Sequence, residues 1–106
     1  MGKYLFHGSF TTDGLRGIQK EGGTSRTKAV TTLAESLGGS LESYYFAFGD
    51  DSYFVVVDLP NDEAAAACAL VVSASGAVSN STIKLLTPAQ VDAAVKLSPN
   101  YRAPGQ

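Results

Sequence analysis

Charged residues, histidine and cysteine are all scarce in this chain. Only 17% of its 106 residues are charged, and it contains one histidine and one cysteine. A lone cysteine, Cys68, excludes an internal disulfide, so the fold does not depend on oxidation. One histidine with one cysteine also excludes a Cys/His zinc site within one chain. We therefore predict no metal and no cofactor, although a carboxylate-only metal site stays open.

The sequence also lacks a basic surplus and a long apolar run. Its net charge is −2, which argues against nucleic-acid binding. No apolar stretch approaches the about 20 residues that span a bilayer, so we expect no membrane partner. The first residues do not resemble a signal peptide, because His7 and Ser9 interrupt a short apolar run, and this predicts a cytoplasmic location. An apolar content of 44% suffices for the core of one domain.

Apolar periodicity and turn residues predict four strands separated by helices. The predicted strands are Lys3–Phe10, Ser40–Phe48, Tyr53–Leu59 and Val78–Leu86. A short helix follows Thr11 and ends at Gly22-Gly23, and a longer one, capped by Thr24 or Ser25, ends at Gly38-Gly39. A third helix is capped by Asn61 and ends at Gly76, and a fourth begins at Thr87-Pro88.

This order of elements predicts an α+β fold of the ferredoxin-like, split βαβ type, with helices on one face of a four-stranded antiparallel sheet. Residues 1–97 form the single predicted domain and residues 98–106 an extended tail. Neither alternating set of side chains in the strands is polar enough to lie in water, and the sequence leaves open which set faces outward. We therefore expect a homodimer or higher homo-oligomer in which two sheets pack as a dimeric α+β barrel, the alternative being a monomer with one half-polar face.

Several short motifs resemble the GYD-domain family of small bacterial proteins over essentially the whole chain. They are Glu21–Arg26, Glu35–Gly39, Phe46–Asp51, Val55–Pro60, Ser75–Val78, Leu85–Pro88 and Tyr101–Gly105. The Gly-Tyr-Asp motif that names the family is matched at Gly49 and Asp51, with Asp50 standing in place of Tyr. The resemblance implies a ferredoxin-like α+β fold and implies little about chemistry.

His7 is the residue best suited to proton transfer, since an imidazole titrates near neutral pH. Projecting from the first strand beside Ser9, it is a candidate general base or ligand, with Tyr45 as a possible wall of the same pocket. The alternative is a structural histidine, because no acidic residue lies near it in the sequence to orient it. The aromatic residues around Tyr45 are interpreted first as core or dimer-interface residues, and otherwise as a stacking surface for a flat ligand.

Two further segments carry polar groups that could hold a ligand. Asp50 and Asp51 place two carboxylates in one turn, an arrangement that can bind a cation, although ordinary turn chemistry favours a solvated hairpin turn. Ser25 and Arg26 lie at a helix start whose free amides could bind an anion, the alternative being an ordinary helix cap.

Three functions remain from the sequence. The first is a dimeric ligand-binding or accessory module for a small molecule. The second is an enzyme, a cofactor-free oxygenase or an isomerase, that uses the barrel cavity with His7 as base. The third is a structural protein-interaction module. Fold analogy alone does not choose among them.

Overall fold

A computed structural model describes residues 1–106 as four strands and four helices. In chain order these are β1 (Gly2–Phe10), α1 (Thr12–Glu21), α2 (Gly23–Ser36), β2 (Ser40–Phe46), β3 (Tyr53–Leu59), α3 (Asp62–Ala74), β4 (Val78–Leu85) and α4 (Pro88–Val95). The predicted α+β fold is therefore confirmed. None of the helices is both long enough and apolar enough to cross a membrane.

The four strands form one antiparallel sheet in the order β2-β3-β1-β4. The two central strands, β1 and β3, contain all the buried residues of the sheet. The connections β1-α1-α2-β2 and β3-α3-β4 each skip one strand, which gives the predicted βαβ-like arrangement. A bulge near Glu42 shifts the register of β2 against β3 by one residue.

Four predicted boundaries were wrong by one to three residues, and the first is the start of β1, which lies at Gly2 and not at Lys3. Helix α2 is capped by Gly22, at φ 81°, and not by Thr24 or Ser25. This positive φ ends α1 and turns the chain directly into α2, so both hydroxyl residues already lie in its first turn. Strand β2 ends at Phe46, because the next residue closes the turn toward β3. Strand β4 likewise ends at Leu85, one residue early.

The other predicted helix signals are found where expected. The Asn61 side chain accepts a 2.9 Å hydrogen bond from the backbone N–H of Ala64. Thr87 and Gln90 form a reciprocal capping box at the start of α4. Gly38 and Gly76, at φ 83° and 77°, end the preceding helices in the left-handed conformation.

The hydrophobic core lies between the sheet and helices α2 and α3. Strand residues Phe6 and Val57 pack there against Ala34, Ala65 and Cys68. The small helix residues let the helices approach the sheet closely. The buried hydrophobic residues are Tyr4, Phe6, Ala34, Tyr53, Val55, Val57, Leu59, Ala65 and Cys68.

Helix α4 and the residues after it project from this core. Every residue from 88 to 102 is exposed, and the chain measures 57 × 33 × 22 Å. Val95, Leu97 and Tyr101 are 75–77% exposed. An ordered capped helix thus carries apolar side chains that nothing in its own chain covers.

Candidate functional site

One face of the sheet carries no helix, and we call it the open face. Side chains alternate between the two faces of a strand. Because Tyr4 and Phe6 are buried under the helices, Leu5 and His7 point to the opposite side. The sequence left this assignment undecided, and the packing of α2 and α3 decides it.

Strand pairing arranges the open face in rows that run across the sheet. One row joins Tyr45, Phe54, His7 and Ser81, each paired with the next. The adjacent row joins Ser43, Val56, Leu5 and Ile83 in the same way. The centre of the open face is therefore largely apolar, and Tyr45, Ile83 and Phe54 are 69%, 46% and 38% exposed.

His7 is held in a defined orientation on this face. Its Nδ1 lies 2.7 Å from Oδ2 of Asp51. Its ring stacks on Phe54, with 6.1 Å between ring centres and 8° between the planes. A carboxylate can only accept a hydrogen bond, so Nδ1 donates and the neutral imidazole keeps Nε2 free as an acceptor. The arrangement is that of a histidine oriented by a carboxylate.

The turn between β2 and β3 positions Asp51. The Ser52 N–H donates to the Gly8 carbonyl at 2.6 Å, and this bond ties the turn to β1. Ser9 donates its hydroxyl hydrogen to the carbonyl of Asp50. Gly8 is required here, since a Cβ would lie 1.8 Å from the carbonyl oxygen of Ser79. His7, Ser9, Asp50 and Asp51 are thus brought together at one end of the open face.

An ion-pair cluster lies at the other end of the open face. Lys3 donates to Glu42 and, at 3.2 Å, to Asp58. The hydrogen bonds with Glu42 and with Asp58 raise the pKa of Lys3 above its usual value. The apolar rows therefore lie between two polar ends, of which only the His7 end carries an uncommitted acceptor nitrogen.

The remaining candidates from the sequence divide between two places. Tyr45 lies on the open face, one strand pair away from His7 through Phe54. Ser25 and Arg26 lie on α2, on the helix side of the sheet, and Ser25 makes a long 3.5 Å hydrogen bond with Glu21. The anion candidate and the histidine candidate are therefore separate sites.

Sequence reasoning missed the partners of His7. It found no acidic residue near His7 in the sequence, whereas the fold brings Asp51 to it from 44 residues away. The predicted topology contained a usable signal, because it places β3 antiparallel to β1. The start of β3 must then lie beside the end of β1, which brings Asp51 near His7 and pairs His7 with Phe54.

In the single chain the histidine is not enclosed. His7 and Asp51 side chains are 22% and 32% exposed, and His7 lines none of the three main cavities. No group of three or more His, Cys, Asp or Glu residues is arranged to hold a metal. The open face thus offers a fixed hydrogen-bond acceptor beside two aromatic rings, on a surface that the single chain leaves uncovered.

The fold and this site describe a small α+β domain with an antiparallel sheet open on one side. Comparison with protein families shows a match to the GYD domain over residues 4–95. The chain therefore belongs to the GYD-domain family, as its motifs predicted. No curated protein and no solved structure is significantly similar to it.

Proposed function

We propose that this chain is a small-molecule-binding module that works as a homodimer, with its ligand held beside His7 between two open faces. The observation that carries the proposal is the row of Tyr45, Phe54 and His7, fixed by Asp51 on a sheet face without a cover. Two aromatic rings and one acceptor nitrogen favour a flat ligand with a hydrogen-bond donor on its edge.

A second copy of the chain is the cover proposed for this face. Val55, Val56 and Val57 make the central strand β3 apolar on both sides, which is typical of a sheet covered on both faces. Strand spacing and rise give the open face roughly 500 Å². A stable interface takes about 800 Å² from each partner, so regions beyond the sheet must contribute.

The projecting C-terminal segment is the source proposed for the remaining area. Val95, Leu97 and Tyr101 are exposed apolar residues on an ordered segment that does not return to its own core. Packing of this segment against the partner would complete a dimeric barrel of the ferredoxin-like kind. His7 would then lie in an enclosed space of the kind small ligands require.

A pair of matched substitutions tests the dimer. Val56→Glu places a charge in the centre of the open face, while Val71→Glu makes the same change on the exposed side of α3. We expect light scattering to give a dimer for the wild type and Val71→Glu, and a monomer for Val56→Glu, since a buried unpaired charge is costly. A wild-type monomer at micromolar concentration would contradict the proposal.

Ligand binding is tested separately by thermal shift and native mass spectrometry with a panel of planar metabolites. We expect at least one compound to raise the melting temperature of the wild type and to lose this effect in His7→Gln and Phe54→Leu. Ser79→Ala, which changes an exposed β4 residue outside the row, serves as the control. If the protein is a dimer and no compound of the panel binds, a structural interaction module is favoured instead.

The hydrogen bond between His7 and Asp51 favours one second candidate, an enzyme. With Nδ1 donating to Asp51, Nε2 of His7 can accept a proton from a carbon acid, the first step of both an isomerase and a cofactor-free oxygenase. The carboxylate would stabilise the imidazolium that forms. The oxygenase would need dioxygen as co-substrate, and the isomerase would return the proton to another carbon.

Deuterium exchange detects that first step without knowledge of the full substrate. Exchange of the protons next to the carbonyl group of ketones such as cyclohexanone is followed by NMR in D2O. If the chain is an enzyme of this kind, we expect faster exchange with the wild type than with His7→Gln. Asp51→Asn should reduce the exchange rate by less than His7→Gln does. Equal rates for the wild type and His7→Gln over a panel of ketones and 1,3-diesters would remove this candidate.

A further inference from the structure

A cavity of about 40 Å³ lies on the helix side of the sheet, separate from the open face. It is bounded by α2, α3 and the sheet, and almost all of its lining is apolar. The lining residues that carry polar groups are Arg26, Tyr44, Tyr53 and Asn80. Arg26 is the single charged residue in this wall.

Arg26 has no counter-charge in the chain. Its Nε is buried and has no hydrogen-bond partner. The ion pairs of the chain involve Lys3 and Arg16 as cations, and Arg26 takes part in none. A buried polar group of this kind is costly unless a partner satisfies it, and the penalty is larger for a charged side chain.

The other polar groups of the wall supply no counter-charge to this arginine. The Tyr53 hydroxyl donates to Asn80 Oδ1 at 2.6 Å and is thereby committed. Burial raises the pKa of Tyr44, and the charge of Arg26 together with a hydrogen bond from its guanidinium partly offsets this rise. Tyr44 therefore lies close to Arg26 as a neutral phenol, which cannot balance its charge.

Arg26 also borders the surface. Together with Phe10 it lines a shallow surface pocket of about 140 Å³ beside α1, whose rim carries Asp13 and Glu21. Neither carboxylate approaches Arg26 to ion-pairing distance. Arg26 and Phe10 thus line both the apolar cavity and the surface pocket.

We propose that the cavity between the sheet and α2 binds a short-chain carboxylate, with the carboxylate on Arg26 and the alkyl tail among the apolar residues. A planar guanidinium can pair with a carboxylate through two parallel hydrogen bonds, which would satisfy the buried Nε. The site is distinct from the one proposed at His7, so either can fail without the other.

The size of the cavity sets the length of the tail. A water-sized group occupies about 10–15 Å³ by this measure, so the cavity holds about three such groups. A tail of three carbons fills it, which corresponds to butyrate. Inorganic phosphate lacks the tail and butan-1-ol lacks the charge, so the pair separates the two requirements.

Methyl NMR provides the test, because Val30, Leu33 and Val72 line the cavity and report its occupancy. We expect butyrate to shift these methyl signals saturably, and butan-1-ol and phosphate to leave them unchanged at the same concentration. Saturable shifts of equal size with butan-1-ol would overturn the role of Arg26. Equal shifts with phosphate would overturn the role of the apolar tail.

Substitution of the arginine completes the test. Arg26→Met keeps the length and apolar character of the side chain and removes the charge, and we expect a dissociation constant for butyrate about tenfold to hundredfold higher. Arg26→Lys keeps the charge without the planar pair and should lie between the two. Arg16→Met, on an exposed side chain of α1, is the matched control and should bind like the wild type. Unchanged affinity in a folded Arg26→Met protein would refute the proposal.

Discussion

Alkaline pH should destabilise this domain through one buried tyrosine. Tyr53 is only 4% exposed, and its hydroxyl donates to Asn80. Burial, with smaller contributions from Tyr44 and the charge of Asp51, raises the pKa of Tyr53 to about 12. In the unfolded chain the same phenol ionises near pH 10. The folded state therefore holds this proton through an interval in which the unfolded state has lost it.

The direction and size of the effect follow from linkage. A group whose pKa is raised by folding stabilises the folded state fully at pH values below its pKa in the unfolded chain. This stabilisation is lost as pH rises through its pKa in the folded state. Between pH 10 and pH 12 the contribution of Tyr53 to the free energy of unfolding should fall progressively. Two pKa units correspond to about 3 kcal/mol, and above pH 12 the loss should level off.

Tyr53→Phe isolates this contribution from those of the other tyrosines. The free energy of unfolding is measured by urea titration at intervals from pH 8 to pH 12 for both proteins. At pH 8 the variant should be less stable by about 1 kcal/mol, because it leaves Asn80 without its donor. Above pH 10 the difference should shrink and then reverse. Two curves that fall in parallel over this range would refute the reasoning.

Local contacts support three further predictions. Gly17→Ala, at an open position inside α1, should stabilise the protein by about 1 kcal/mol. Gly14→Ala should destabilise it, since a Cβ there would lie 2.1 Å from a backbone carbonyl oxygen. Urea titration of both variants tests this pair of predictions. Asn61→Ala should lower global stability by about 1 kcal/mol, while Thr87→Ala should only increase amide exchange in α4, because α4 is fully exposed. Burial raises the pKa of Cys68, so native protein should react slowly with a disulfide reagent at pH 8 and rapidly in urea; fast native reaction would contradict its burial.

Much of the fold could be predicted because it depends on signals that lie close together in the sequence. Alternation of apolar residues gave the strands, and β3 was predicted residue for residue at Tyr53–Leu59. The caps at Asn61 and Thr87 depend on hydrogen bonds that reach three residues, so their sequence context suffices. The largest boundary error lay where one glycine conformation decided the path, at Gly22.

The candidate site depended on the tertiary structure. The sequence determined that the chain has one histidine, one cysteine and an excess of apolar strand residues, and it thereby limited the chemistry. Only the fold placed Asp51 on Nδ1 of His7, put His7 on the open face, and left Arg26 beside an apolar cavity without a counter-charge. The reason is that propensity and capping act within a few residues. Strand pairing and helix packing also join positions more than 40 residues apart, as with His7 and Asp51, and so decide which polar groups meet.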